Sequence, residues 1–355
     1  MSLVRLCGFL SVLFTGFALY ACGGGGSTAA PAAVAVASPT PTPIPTPTPT
    51  PASTPSIFVS PYPAPPASSI IFVANSSGNT ILGFPLTASG NVAPTVTITS
   101  SNTQLNAPAI LAVDTSGNIY AANDLGATVY IFAAGSNGNV APTATLTGLN
   151  TQIAQINGVA IDHNGLIYVS NFNANSIAVF AAGATGNATP VRVISGSLTT
   201  LSRPAGIAFD ANNDLYVNGV NGGIIEFAAG ANGNVAPIAT ISTPNAAAAE
   251  VAIDSNGRLI AGGTCGGGIL IFAPGATGNA TPVQTINDSS IACTVRYAVD
   301  SSNTIYALSN TLNGNTGLPS GIAVFPSTAN GTVTATRQII GTSTALNNPQ
   351  GIAIY

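Results

Sequence analysis

The chain has 355 residues with a formal net charge of −4, and only 5% of its residues are charged. It contains six Arg and no Lys, so it offers no basic stripe for a phosphate backbone, which argues against nucleic-acid binding. Its hydrophobic content is 46%, yet after residue 21 no apolar run approaches the ~20 residues that cross a bilayer. The apolar residues instead occur in short alternating segments, which are typical of β-strands.

Residues 1–21 carry one Arg followed by an apolar stretch that ends in small residues, the pattern of a secretory signal peptide. Cys22 follows directly, and the sequence LYAC-GGGGS resembles the lipobox of bacterial lipoproteins, from which Tyr20 departs. The resemblance implies cleavage before Cys22, acylation of that cysteine and a lipid-anchored location in the bacterial cell envelope. Gly23 implies the outer membrane, facing either the periplasm or the surface. The alternative is a plain signal peptide in which Cys22 is incidental.

Residues 22–67 form a low-complexity linker of Gly, an Ala/Val patch and alternating Thr-Pro. Alternating Pro keeps a backbone extended at about 3.1 Å per residue, so about 40 such residues reach up to ~120 Å. A Pro-rich recognition ligand is the weaker alternative, because no Arg or Lys flanks the Thr-Pro alternation.

The segment from Gly158 to Pro204 contains a unit that the rest of the chain repeats. It holds four runs rich in Ile, Val, Tyr and Phe, bounded by Asn, Gly, Ser and Pro: GVAID, LIYVS, SIAVFAA and VRVIS. Such runs predict four strands joined by hairpin-sized turns. A four-stranded unit that recurs about every 46 residues is the size of a propeller blade.

The copies align on an Asp at the end of the first strand, at Asp114, Asp162, Asp210, Asp254 and Asp300. The final residues 351–355 match a first strand, whereas the repeat region opens near residue 70 with a second strand. Joining the two ends completes a sixth blade. The sequence therefore predicts an all-β, six-bladed β-propeller with four-stranded blades, closed by pairing of the C-terminal strand 351–355 with the N-terminal blade.

The pattern P-x-G-[IV]-A-[IV]-D-x-x-G-x-[IL]-Y-V-x-N is most complete at Asn157–Asn171 and Pro204–Asn218. It resembles the NHL repeat of six-bladed propellers over about residues 70–355, and this chain departs from it at Tyr355, which replaces the Asp. The resemblance implies one propeller domain, residues 68–355.

A Gly-Asn pair followed by Pro precedes the fourth strand of five blades. These pairs are Gly90-Asn91, Gly138-Asn139, Gly186-Asn187, Gly233-Asn234 and Gly278-Asn279. They predict the turn into the fourth strand, and the Pro suits an outer edge strand that has no partner on its free side.

Two cysteines, Cys265 and Cys293, belong to the predicted propeller. Cys265 lies in a loop between second and third strands, and Cys293 lies in the passage to the next blade. Both connections open on one face of a propeller, and export favours oxidation, so we predict a Cys265–Cys293 disulfide. A reactive or metal-binding pair is the alternative, but this face supplies too few further donors.

Residues that perform catalysis are scarce in this chain. The single His, His163, is predicted at a hairpin tip, away from any nucleophile, and the only Glu residues are Glu226 and Glu250. The D-x-N-x-D that begins at Asp210 is similar to the start of a calcium loop but lacks its Gly and Glu. We therefore expect no catalytic residue, no metal and no cofactor.

Five asparagines follow second strands and are predicted to ring one mouth of the propeller: Asn75, Asn123, Asn171, Asn218 and Asn310. Together with Glu250, which precedes a first strand near the axis, they are the candidate residues of a ligand face. The alternatives are that each Asn caps its own loop and that Glu250 is a polar rim residue.

These features favour a lipid-anchored, extracytoplasmic propeller that binds a protein or glycan partner without catalysis, as a monomer that touches the membrane only through its lipid. The alternative is an enzyme, because six-bladed relatives implied by the resemblance include metal-dependent lactonases and lyases. The scarcity of His and Glu argues against it. A purely structural envelope component is a third possibility.

Overall fold

The computed structural model describes residues 69–124, 126–219, 223–243, 250–262, 268–288, 293–310 and 320–355. Within them the regular structure consists of β-strands and short 3₁₀ turns. The strands form six sheets in succession along the chain, each built on four antiparallel strands. The prediction of an all-β, six-bladed propeller is confirmed.

The first three blades include both ends of the chain. Blade 1 contains, from the inside outward, Pro349–Ile354, Ile70–Asn75, Thr80–Pro85 and Val96–Ile98. Blade 2 contains Pro108–Val113, Ile119–Asn123, Val129–Phe132 and Ala144–Leu146. Blade 3 contains Ile156–Ile161, Ile167–Asn171, Ser176–Phe180 and Arg192–Ser195.

The remaining three blades follow the same order. Blade 4 contains Pro204–Phe209, Leu215–Gly219, Ile224–Phe227 and Ala239–Ile241. Blade 5 contains Val251–Ile253, Leu259–Gly262, Ile269–Phe272 and Gln284–Asn287, with the short strand Gly331–Thr332 added at its outer edge. Blade 6 contains Cys293–Val299, Ile305–Asn310, Gly321–Phe325 and Arg337–Ile340.

The predicted closure by the C-terminal strand is confirmed. Pro349–Ile354 pairs antiparallel with Ile70–Asn75, so that Ile352 lies opposite Val73 and Ile354 opposite Ile71. The C-terminus thereby supplies the first strand that the N-terminal blade lacks.

Hydrophobic packing occurs between blades. The buried apolar residues form six clusters, and each cluster draws its members from two consecutive blades. A Phe at the end of each third strand is fully buried: Phe84, Phe132, Phe180, Phe227, Phe272 and Phe325. Because each blade alone would expose two apolar faces, the ring is the smallest unit that buries them.

The outer strands do have partners on their free side, so the prediction of an unpartnered edge is wrong. In blade 2, Gly138 donates its N–H to Thr97 O of blade 1 at 2.8 Å and accepts from Thr99 N at 3.1 Å. The same parallel bridge recurs at all six junctions of the ring. The six glycines have φ between +61° and +76°. Five of them belong to the Gly-Asn turns, which therefore both enter their own fourth strand and bond the preceding blade.

The two faces of the ring differ in their connections. First strands end in tight turns on one side, which we call the hairpin face, and they begin on the opposite side, which we call the loop face. The Asp at the end of each of five first strands accepts two backbone N–H groups of its turn through Oδ1 at 2.8–2.9 Å. This bonding explains why the repeated Asp marks the turn.

The predicted signal peptide, the lipidation site Cys22 and the 22–67 linker all lie outside the described residues. Within the described part of the chain, no helix has the length and apolar character needed to span a bilayer.

Candidate functional site

A cavity of about 230 Å³ lies on the axis, enclosed by the first strands of the blades. Each first strand is the innermost strand of its sheet and pairs with the second strand, so its inner edge of N–H and C=O groups faces this lumen. One ring of its lining is entirely alanine: Ala112, Ala160, Ala208, Ala252, Ala298 and Ala353. These small side chains keep the centre of the ring open.

An ion pair lies at the mouth of the lumen on the loop face. Arg296 Nη1 lies 2.6 Å from Glu250 Oε2, and its Nη2 donates to Asn157 O at 3.2 Å. Asn157 belongs to blade 3 and Arg296 to blade 6, which are opposite one another in a six-membered ring. Arg296 therefore crosses the axis, and it is only 8% exposed.

The position of this pair is special within the repeat. Glu250 and Arg296 each lie four residues before the position of the repeated Asp at the end of the first strand. At the same place three other blades have a glycine: Gly158, Gly206 and Gly351. A Cβ on Gly158 would lie 2.2 Å from Ala205 O, so the glycine there lets adjacent first strands approach closely. Sequence reasoning singled out Glu250 but missed Arg296, although the aligned repeats show the substitution of Gly by a charge in two neighbouring blades.

Glu250 is thus an ion-paired residue at the mouth of the lumen. Its backbone carbonyl accepts from Tyr297 Oη at 2.7 Å and from Asn218 Nδ2 at 3.2 Å. These bonds fix the start of the first strand of blade 5 beside the axis.

The predicted asparagine ring lies on the loop face, and most of it is buried. In blades 1, 2 and 3 the Asn amide bonds two backbone groups of the segment that precedes the first strand of the same blade. Asn75, for example, donates to Ala345 O at 3.1 Å and accepts from Asn347 N at 2.6 Å. Asn123 and Asn171 make the equivalent bonds. Asn310 donates to Pro349 O at 3.5 Å. The amides in blades 1 to 3 hold their own loops in place, as the capping alternative described, whereas Asn310 bonds the first strand of the next blade. Ligand binding by the ring stays a prediction.

Two other sequence candidates lie on the hairpin face. His163 is exposed in its turn, where its backbone N–H donates to Asn213 Oδ1 at 3.0 Å. Asp210 Oδ1 accepts from the backbone of Asn212 and Asp214, so the D-x-N-x-D forms an ordinary hairpin turn. Among the described residues, no group of three His, Cys, Asp or Glu is placed to hold a metal.

The predicted disulfide falls largely outside the described residues. Cys265 belongs to residues 263–267, which are not described, and Cys293 is the first residue of the inner strand of blade 6. The pairing therefore stays a prediction.

Glu226, the second Glu, lies on the third strand of blade 4, away from the lumen. Burial raises the pKa of Glu226, a hydrogen bond from Tyr216 lowers it, and nearby Asp214 and Asp210 raise it further. The net pKa lies above the ordinary value. It shares no site with Glu250, so the two Glu residues do not form a carboxylate pair for acid-base catalysis.

We expect Glu226→Gln to raise Tm at pH 7 and to raise it less at about pH 4. Between the ordinary and the raised pKa, the folded protein retains a proton that the unfolded chain has released, so stability falls as pH rises through this window. Gln avoids that loss and still accepts from Tyr216. Thermal unfolding followed by circular dichroism at pH 7 and about pH 4 tests this: an equal gain at both values would show that titration is not the cause.

The chain is similar to known proteins in its fold and not in its sequence. No family model matches it, and no curated protein matches it in sequence. A Bacteroides caccae protein of unknown function has a TM-score of 0.59 at 10% identity, covering 81% of this chain and 99% of its own. A functionally unknown Desulfotomaculum acetoxidans protein has a TM-score of 0.53 at 15% identity, covering 80% and 98%.

A chain of a nidogen–laminin complex is also similar, with a TM-score of 0.55 at 15% identity, covering 81% of this chain and 98% of its own. At such low identity these likenesses concern the fold alone. They agree with the six-bladed propeller and assign it no activity.

Proposed function

We propose that the protein is a non-catalytic binding module, held in the bacterial envelope by a lipid on Cys22 and displayed on the Pro/Thr linker. Its NHL-like propeller binds a protein or glycan partner with the loop face. The lipobox-like sequence and the linker support the tether, and the propeller supplies a rigid platform from which loops can contact a partner.

The observation that carries this proposal is the state of the charged groups at the axis. An acid, base or nucleophile in use needs access to substrate, whereas Glu250 and Arg296 neutralise each other and Arg296 also bonds the opposite blade. The ion pair thus holds the mouth of the lumen in one conformation. A rigid surface loses little conformational entropy when it binds a partner.

The similar chain in the nidogen–laminin complex adds a fold-level analogy, since that complex is an assembly of proteins. The analogy extends to the architecture and not to any particular contact.

The proposal is tested by photo-crosslinking in the native cell from opposite faces of one blade. A photoreactive residue at position 106, exposed on the loop face, is compared with one at position 116, exposed on the hairpin face. We expect a discrete cross-linked product from position 106 and none from position 116. Equal products from both positions, or none from 106, would contradict the proposal.

Elemental analysis of the same protein, purified without chelator, distinguishes the enzyme alternative. A binding module is expected to contain no stoichiometric metal. One equivalent of calcium or zinc would favour the metal-dependent lactonase or lyase type instead.

A further inference from the structure

Among the described residues, one cation on the loop face has no hydrogen bond or ion pair from its side chain. Arg203 is exposed, and its Cζ lies 5.7 Å from the centre of the Phe172 ring. Within the described residues, every other Arg side chain donates to an oxygen: Arg192, Arg258, Arg296 and Arg337. With no Lys in the chain, Arg203 is the exposed positive charge of an acidic domain.

The backbone holds Arg203 in a fixed place. Its N–H donates to Asn175 Oδ1 at 2.7 Å, and its φ of +49° is in the left-handed region, immediately before Pro204. A left-handed residue before proline is strained, so the surrounding bonds determine its conformation. The guanidinium is therefore presented from a preorganised backbone.

The homologous junction shows that the fold does not require this cation. Between blades 1 and 2, Ala107 has the same φ of +49° and donates to Asn79 Oδ1 at the same 2.7 Å. Ser76 there occupies the place of Phe172 in the aligned repeat. The same backbone conformation and hydrogen bond thus form with Ala and Ser at these positions. The fold does not need Arg203 and Phe172, so we assign them a role in binding at the surface.

The chemistry of the pair indicates an anion. Contact with an aromatic ring occupies none of the N–H donors of a guanidinium, so the planar fork that matches a carboxylate remains available. The ring beside it offers an apolar surface to the C–H groups of a ligand.

Neutral amides adjoin the pair. Phe172 N–H donates to Gln155 O at 2.9 Å, and Asn173 Nδ2 donates to Gln155 Oε1. Within the described residues the Gln155 Nε2 donors and the Asn173 Oδ1 acceptor have no partner, so both can bond hydroxyl groups. A carboxylate with several hydroxyls and a C–H face is the chemistry of a uronic acid.

Building on the proposed function, we infer that Arg203 and Phe172, with Gln155 and Asn173, form a subsite for a carboxylate-bearing saccharide on the loop face. The carboxylate binds Arg203, the sugar ring lies against Phe172, and the hydroxyls bond the two amides. An acidic peptide would use the Arg203 fork but would leave the amides without their hydroxyl partners.

The test is calorimetric titration of the full chain, in mild detergent, with trigalacturonate, neutral galactotriose and triglutamate as probes. We expect trigalacturonate to bind at least tenfold more tightly than either of the others. Arg203→Gln should weaken it at least tenfold, Arg203→Lys should weaken it less, and Phe172→Ser should weaken it without changing Tm by more than a few degrees. Gln is a suitable replacement at position 203, where φ is left-handed, because Gln104 and Gln152 also adopt left-handed φ in this chain.

A matched control separates a local contact from net charge. Leu149 is 96% exposed, so Arg203→Gln combined with Leu149→Arg restores the net charge but moves the cation. This double variant should bind as weakly as Arg203→Gln alone. Recovery of binding, unchanged affinity in Arg203→Gln, or no heat from trigalacturonate would overturn the inference, as would tighter binding of triglutamate, which would indicate a peptide. Cross-linking from position 106 would still report on the binding module independently.

Discussion

Removal of residues 350–355 is expected to lower Tm by at least about 10 °C and to make the protein aggregate. The deleted residues include the buried Ile352 and Ala353, and they pair with Ile71–Ala74. Burial of one Ile side chain stabilises by about 1.5–3 kcal/mol, so the strand as a whole contributes on the order of 5 kcal/mol. Each kcal/mol corresponds to about 2–4 °C in a domain of this size.

The aggregation has a separate physical cause. Without the C-terminal strand, Ile70–Asn75 becomes an unpaired inner edge that another chain can extend. The outer bridge between Gly90 and Ile339 and part of the apolar cluster shared by blades 6 and 1 would remain. Thermal unfolding with light scattering at several protein concentrations measures both effects.

Point variants control for the loss of length. Ile352→Ser removes a buried contact of the same strand and should reproduce much of the loss, whereas Gln350→Ser, at the half-buried bulge, should have little effect. If the truncated chain and Ile352→Ser both melted like the wild type, closure by this strand would not support the ring.

A charge-poor sequence needs other means to join its blades, and asparagine and glycine provide them. Only two salt bridges occur among the described residues. At the outer edge the Gly-Asn turn bonds the preceding blade through both residues, as when Asn187 Oδ1 accepts from Asn150 N at 2.8 Å. On the loop face Asn79 and Asn175 bond the start of the following blade. Neutral amides thus join blades without the desolvation cost of buried charges.

The architecture was predictable from the sequence because it depends on a four-stranded unit that repeats at a nearly constant spacing. The Asp that ends each first strand bonds its own turn, so its signature is local and repeats visibly. The unmatched strands at the two chain ends also sufficed to predict the closure. Both features depend on residues that are close in sequence or that recur from blade to blade.

Contacts between blades were not predictable in the same way. The Gly-Asn turn was assigned to its own blade, because nothing in the repeat shows that Gly138 also bonds Thr97 of the preceding one. Likewise, Arg203 meets Phe172 only when the start of one blade lies against a loop of another. The Glu250–Arg296 pair was visible as a departure from Gly in aligned repeats, but its crossing of the axis required the closed ring.

Loss of one member of that pair is the second large effect that we expect. Arg296→Met or Glu250→Met alone should lower stability by about 2–4 kcal/mol, below the upper range for fully buried pairs because the Glu250 side chain retains 16% exposure. The reason is that the partner charge stays at the mouth of the lumen without its counter-ion. Urea unfolding at constant pH gives the free energy of unfolding for each variant.

The double variant Glu250→Met/Arg296→Met decides between two roles for the pair. Apolar side chains of similar volume can replace a buried ion pair at little cost, so we expect the double variant to be more stable than either single variant. A double variant as unstable as the sum of the two single variants would show that the two charges are not coupled, and the brace across the axis would then have no energetic basis. If the double variant regains stability but loses the cross-link from position 106, the pair is retained for the shape or charge of the loop face. If it keeps the cross-link, the pair serves the ring alone, and recognition lies farther out, where Arg203 is exposed beside the half-buried Phe172.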